Sequence, residues 1–243
     1  MTIHPSALID PGASIAEDAE IGPFCVVSAG ARIGPGCRLG ARVSIYGSVI
    51  AGRGNLIQSG ATIGKPDGGR IEIGDDNVFR EFAHVDAASG ATTRIGSRNR
   101  IGVWAGINSG CRIGNEVRVG AYSHIGENVL VEERAWIQPQ VCIDPNGRVG
   151  RGCVVRIQMT VFGDVPPHMV FDGPPAAIQS VNPNQWTEPL DRAFQTVYKS
   201  GLPLAEAAKK LLDISSPSSE VAPEVAELAE FLKSAKPPEP AFE

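Results

Sequence analysis

No apolar run approaches the ~18–20 residues needed to cross a bilayer. The opening Met1–Asp10 lacks the basic-then-apolar order of a secretory signal. A cytoplasmic protein without a transmembrane segment is therefore expected. Positive charge is not in excess: 22 Lys and Arg stand against 27 Asp and Glu, a net charge of −5. That balance argues against a protein that neutralises many phosphates, so no nucleic-acid partner is expected. Aromatic residues are scarce, at 6%. Only four histidines are present, and no pair of the five cysteines has metal-ligand spacing. Disulfides are not expected in a cytoplasmic chain. What the sequence does have is glycine (28) and proline (19), without the three-residue period of collagen. With 42% hydrophobic and 20% charged residues, most of the chain is expected to fold.

The glycines belong to a repeat. From Ile3 an aliphatic residue recurs at every sixth position: Ile9, Ile15, Ile21, Val27, Ile33, Leu39 and Ile45. After Ala51 the phase continues at Ile57 and Ile63. Four extra residues fall within 65–72, the phase restarts at Ile73, Phe79 and Val85, and four more fall within 87–94. From Ile95 the run is unbroken to Val161. The second position of the unit is often glycine, as at Gly22, Gly34, Gly102 and Gly126, and the fifth is usually small or apolar, as at Ala19, Cys25, Cys37, Cys111 and Cys153. Six residues are three strand periods of two, so one side chain per unit returns to the same inward row. Glycine tolerates the turn, where a Cβ would clash. This is the hexapeptide signature of an all-β parallel β-helix. At three units per coil it gives about 8.7 coils and a prism roughly 40 Å long. Four cysteines fall at the inward fifth position and read as small buried hydrophobes, whereas Cys142 falls at the sixth and should be more exposed.

Insertions into a solenoid project as loops, often on the working face. Gly68-Gly69, beside Lys65 and Arg70, could cradle a phosphate, although a plain turn is the simpler reading. After Val161 the period stops, and residues 162–178 read as a loop-like exit. The β-helix thus covers 1–178 and an α-helical C-terminal domain 179–243. A helix is predicted from the N-cap Thr187 through Leu190, Ala193, Phe194, Val197 and Tyr198, ended by Gly201. A second starts around Pro203, with Leu204, Ala207, Ala208, Leu211 and Leu212 on one face. Ser215–Ser219 reads as a linker, a third helix carries Val225, Leu228, Phe231 and Leu232, and the end from Lys236 should fray.

Several local motifs accompany this layout: Ile21-Gly22-Pro23-Phe24-Cys25, Ile73-Gly74-Asp75-Asp76-Asn77 with Arg80-Glu81, Ile113-Gly114-Asn115, Asp164-Val165-Pro166-Pro167, Val181-Asn182 and Tyr198-Lys199-Ser200-Gly201. With the prism, the exit and the helical tail, the chain resembles the UDP-N-acetylglucosamine O-acyltransferase family of lipid A biosynthesis over nearly its whole length. The resemblance implies a left-handed β-helix and a homotrimer with clefts between subunits. It implies transfer of a 3-hydroxyacyl chain from an acyl carrier protein phosphopantetheine thioester to a nucleotide sugar, with no other cofactor and no metal. It also implies that Asn182 contacts the nucleotide and that Ile157 stands where the family keeps a glycine at the end of the acyl pocket. The family's base histidine has no counterpart: the matching stretch is Ile107-Asn108-Ser109-Gly110-Cys111, so Ser109 replaces it. Gly106 replaces a neighbouring histidine, Glu127 the oxyanion glycine, and Asp144-Pro145 a histidine–glutamine pair.

Hydroxyl acylation requires a base within hydrogen-bond reach. His84 and His124 both take the sixth position of their units, six units apart, so they should share one edge two coils apart, ~10 Å along the axis. Gly106 lies between them. The adjoining rows hold Asp86, Asn108, Gly126 and Asp144, then Ser109 and Glu127. The candidate catalytic residues are therefore His124, His84, Asp144, Glu127 and, as an acyl-bearing nucleophile, Ser109. The candidate substrate-binding residues are Asp86, Asn108, Gly126, Lys65, Ile157 and Asn182. Two other readings stand beside this one. A free amine acceptor would need no base, only positioning. A non-catalytic trimeric scaffold would carry the same edge as a solvated seam.

Overall fold

The computed structural model describes residues 2–173, 177–214 and 222–235. It shows a parallel β-solenoid with three faces. Thr2–Ile3 pairs with Glu20–Ile21, Leu8–Ile9 with Val26–Val27, and Ser14–Ile15 with Arg32–Ile33. Each residue therefore meets the one 18 positions on, or 22 on across either four-residue addition. The first face runs from Thr2–Ile3 to Val154–Val155, the second from Leu8–Ile9 to Thr160–Val161, and the third from Ser14–Ile15 to Arg148–Val149.

The six-residue unit explains the corner chemistry. The leading residue and the fifth point inward: Ile21, Cys25, Val27 and Ala31 are all nearly inaccessible. Each buried aliphatic side chain contributes about 1.5–3 kcal/mol, and the row repeats through every coil. At the second position a side chain has no room, since a Cβ on Gly22 would lie 2.8 Å from the Leu39 carbonyl oxygen of the next coil. The fourth position instead takes a left-handed backbone, with φ of 58° at Phe24 and 56° at Trp104. The four expected inward cysteines are buried and Cys142 is half-buried.

One row departs from the small-and-apolar pattern. Asn55, Asn77 and Asn99 occupy successive fifth positions and are fully buried. Asn55 donates through Nδ2 to the Gly52 and Gly74 carbonyls at 3.1 and 2.9 Å, and its Oδ1 accepts from the Asn77 backbone N–H at 3.0 Å. Asn77 Oδ1 accepts from the Asn99 N–H at 2.9 Å, and Asn99 Oδ1 from the Val117 N–H at 2.7 Å.

The insertions differ from the projecting loops expected. Ser48–Ala51, Arg70–Ile73 and Thr92–Ile95 are four-residue strands paired in register, so the extra residues widen the third face over three coils. Val49, Ile71 and Thr93 are buried beneath them. The turns stack as well: the Gly69 N–H donates to Ala87 O at 2.8 Å and the Gly68 N–H to Lys65 O at 3.1 Å. Both amides of the glycine pair are thus satisfied within the protein, and the plain turn is the observed state.

The exit is more ordered than a loop. Met169–Asp172 adds to the first face beside Val154–Val155 and pairs antiparallel with Ala177–Val181. The apolar Met169-Val170-Phe171 continues the buried row after the six-residue phase has ended, which is why periodicity did not reveal it. Helix α1 (Glu188–Phe194) is capped by Thr187, whose Oγ1 accepts from the Leu190 N–H at 3.3 Å, and widens to a π-helical turn over Gln195–Lys199. Helices α2 (Leu204–Ile214) and α3 (Pro223–Ser234) follow. Val225, Leu228, Phe231 and Leu232 of α3 are buried, as the spacing predicted. The predicted linker Ser215–Ser219 and the end from Lys236 lie outside the described residues.

Candidate functional site

The sixth-position row of the second face runs Thr62, His84, Gly106, His124, Cys142 in strand register. The sequence placed both histidines on this edge, and the structure does so with a glycine between them. At a strand spacing of ~4.8 Å the strands that carry the two histidines stand about 10 Å apart. A Cβ on Gly106 would come within 3.1 Å of His124 Nδ1. Its absence leaves a gap beside the His124 ring, between two exposed histidines. Asn108 holds the other side of the ring, its side-chain Nδ2 3.1 Å from His124 Nε2.

The adjoining row is polar and partly tied down. Asp86 accepts from Lys65 Nζ at 2.9 Å and from the Ala87 N–H at 2.7 Å, so Lys65 reaches the edge through an ion pair. Asp144 and Glu127 are exposed at the corner. Gly126 is buried; its N–H donates to Ile143 O at 2.9 Å and its carbonyl accepts from Cys111 Sγ at 2.9 Å. Burial pushes the Cys111 thiol up to about 11, which keeps it a neutral donor behind the row.

Ser109 has a different place from the nucleophile considered above. It is buried, and its Oγ accepts from the Ala88 N–H at 2.8 Å. Thr93 works beside it, donating to Asp86 O at 2.6 Å and accepting from the Gly110 N–H at 3.0 Å. The two hydroxyls anchor the second widened turn and thereby position Asp86.

Two further candidates lie off the histidine row. Ile157 is 52% exposed on the corner between the first and second faces. That corner also carries Phe82, Trp104 and Tyr122, and the Phe82 and Trp104 rings stack at 4.6 Å. Asn182 is buried near the exit hairpin, donating to Gly152 O at 2.8 Å and accepting from the Asn184 N–H at 3.1 Å. It borders a cavity of about 360 Å³ on the first face.

His168 lies outside the six-residue phase, just after the Pro166-Pro167 exit. It is nearly buried, takes a φ of 64°, hydrogen-bonds Gln185 and lies 3.0 Å from Glu227 of α3. Arg151 meets the same carboxylate at 3.2 Å. These contacts fasten the tail to the prism. Only the proximity of His168 to the Pro166-Pro167 exit hinted at them.

Comparison with known proteins agrees with the fold. Residues 1–35 and 92–127 match the bacterial transferase hexapeptide model, and residues 164–238 match domain 2 of UDP N-acetylglucosamine O-acyltransferase. An acyl-[acyl-carrier-protein]–UDP-N-acetylglucosamine O-acyltransferase of Thiobacillus denitrificans is 32% identical, covering 97% of each chain. That of Stenotrophomonas maltophilia is 32% identical over 90% of this chain and 91% of its own. Among solved structures, UDP-N-acetylglucosamine acyltransferase from Campylobacter jejuni superposes with a TM-score of 0.89 at 25% identity, covering 100% of both chains. That from Bacteroides fragilis also gives 0.89 at 25% identity, covering 97% of this chain and 98% of its own. The six-residue prism, the helical tail and relatives matched almost from end to end agree, and the chain belongs to the UDP-N-acetylglucosamine O-acyltransferase family.

Proposed function

We propose that this protein transfers an acyl chain from an acyl carrier protein thioester to a hydroxyl of a nucleotide sugar, with His124 as general base. The observation that carries this reading is the glycine gap between His84 and His124, with Asn108 on the far side of the His124 ring. The Asn108 amide presents either its NH₂ or its carbonyl oxygen. The structure places Nδ2 at His124 Nε2; with the amide turned over, its carbonyl oxygen accepts from Nε2–H and the Nδ1 lone pair faces the gap. A hydroxyl held there loses its proton to Nδ1 as its oxygen attacks the thioester carbonyl. The C–S bond then breaks, and the carrier's thiolate leaves as the thiol by taking the proton back from the His124 imidazolium. His84 contacts the acceptor from across the gap, Asp86 with Lys65 supplies a fixed ion pair for sugar hydroxyls, and Asp144 and Glu127 favour the imidazolium that forms. The working form is a cytoplasmic homotrimer in which a second subunit covers this edge.

One observation favours an amine acceptor instead. The residue at the family's base position is Ser109, whose hydroxyl is engaged with Ala88, and an amine needs positioning but no base. Mass spectrometry of the protein incubated with acyl carrier protein thioesters and a panel of UDP-sugars separates these readings. The expected result is an O-acylated nucleotide sugar, with turnover lowered about 10²–10⁴-fold in His124→Ala and unchanged in His4→Ala. Product from an amino sugar alone selects amine acylation. No product with any acceptor leaves a binding scaffold.

A further inference from the structure

On the first face, the sixth-position row runs Val78, Arg100, Arg118, Trp136, Val154 in strand register. Arg100 and Arg118 therefore sit one strand spacing apart, ~4.8 Å. Both are exposed, and neither takes part in an ion pair among the described residues. Like charges directly opposite each other in a sheet raise the free energy of the fold. The neighbouring corner does little to offset them. Arg98 meets Glu116 at 2.8 Å and Arg134 approaches the same carboxylate at 3.9 Å, so one glutamate already serves two guanidiniums. All five charged groups and the Trp136 indole line the cavity of about 360 Å³. Four arginines face one glutamate there, in a chain whose net charge is −5.

We propose that Arg100 and Arg118 form a binding site for a phosphate ester, closed on one side by Trp136. A guanidinium presents a planar fork that matches phosphate oxygens two at a time, and two forks at strand spacing suit one diphosphate or one phosphodiester. The cavity has the size of a small-ligand site, and the indole next to the arginines offers a flat face to a planar or apolar portion of the ligand. This site lies on a different face of the prism from the histidine row, so within one protomer it is separate from it. Two phosphate esters belong to the proposed reaction: the diphosphate of the nucleotide acceptor and the phosphodiester of the donor's phosphopantetheine. Assigning either to this cavity rests on the acyl-transfer reading, whereas the phosphate site rests on the arginines alone.

The test is titration calorimetry of the full chain with inorganic pyrophosphate, UDP and 4′-phosphopantetheine at low and high salt. The variants are Arg100→Gln/Arg118→Gln and Trp136→Leu, with Arg32→Gln, an exposed arginine of the third face, as the control. Melting curves confirm that each variant folds. In the double variant, pyrophosphate and one of the organic ligands should bind about 10- to 100-fold more weakly, and the salt dependence should flatten. Trp136→Leu should weaken the organic ligand and spare pyrophosphate. Arginine-dependent loss of UDP binding assigns the acceptor; the same loss for phosphopantetheine assigns the donor. Pyrophosphate binding equal in the parent and the double variant overturns the site. Arginine-dependent pyrophosphate binding, with neither organic ligand bound by the parent, keeps the phosphate site and overturns its link to acyl transfer.

Discussion

Asn77 stands between Asn55 and Asn99 in a row whose other coils carry alanine, valine or cysteine, and it is as buried as they are. Its Oδ1 is the acceptor for the Asn99 N–H, and its Nδ2 donates to Asn55 Oδ1 at 2.9 Å. Asn77→Ala removes these partners together and should cost about 1–3 kcal/mol for each group left unsatisfied. The fall in melting temperature, about 2–4 °C per kcal/mol for a chain of this size, measures it. The six-residue spacing identified the inward positions, but three asparagines among them were legible only as exceptions. A buried amide makes sense once corner carbonyls and N–H groups of successive coils lie within reach, and that is a property of the stack. The thiols follow the spacing more closely. Burial raises Cys25, Cys37, Cys111 and Cys153, while Cys142 is raised by partial burial and then by the Asp144 charge. A raised thiol holds less thiolate at any pH below its pKa. Alkylation of the native protein should therefore modify Cys142 alone, slowly at pH 7 and faster as the pH rises to 9 and beyond. Asp144→Asn should speed it; modification of several thiols before unfolding would contradict the burial pattern.

At the scale of elements, the third face shows what an interrupted period means. The two four-residue additions look like loops in sequence because they break phase. They fold as lengthened strands because Ile71 and Thr93 have an interior to enter and the flanking turns stack on each other. Alternation inside Arg70-Ile71-Glu72-Ile73 was the available signal. The hairpin after the last coil was hidden for the opposite reason, since its apolar run carries no six-residue phase. The corner between the first and second faces carries Ile157. It also presents a ladder of exposed aromatic rings beside the histidines, which offers an acyl chain an apolar path. Ile157 lies on that corner in the last coil. Replacing it by glycine removes four carbons, and each methylene that gains burial is worth ~0.8 kcal/mol. A donor-length series should show Ile157→Gly shifting preference towards chains longer by two to four carbons. An unchanged preference would separate Ile157 from the acyl path.

For the whole molecule, the fold was readable because a solenoid writes one rule into every coil, and a single strand of text repeats it often enough to be certain. The site was readable in part. Residues of one row, such as His84, Gly106 and His124, share a sequence phase, so their meeting follows from counting. Arg100, Arg118 and Trp136 obey the same arithmetic on another face, but their significance depends on which charges lack partners, and spacing is silent about that. The histidine edge is open on a single protomer, so we expect light scattering at micromolar concentration to give three times 25.6 kDa. A 25.6 kDa particle would remove the subunit that covers the edge. The left-handed corners carry a last consequence. Phe24, Arg42, Phe82, Trp104, Glu116, Tyr122, Gln140 and Gln158 share one strained backbone conformation despite their different side chains. The strain, on the order of 1–2 kcal/mol per residue, is met by the coil for side chains of several kinds, none of them β-branched. These positions can be exchanged one for another through descent without reaching the interior. A lineage built this way can renew its outer surface, and with it what it recognises, while inheriting its architecture unchanged.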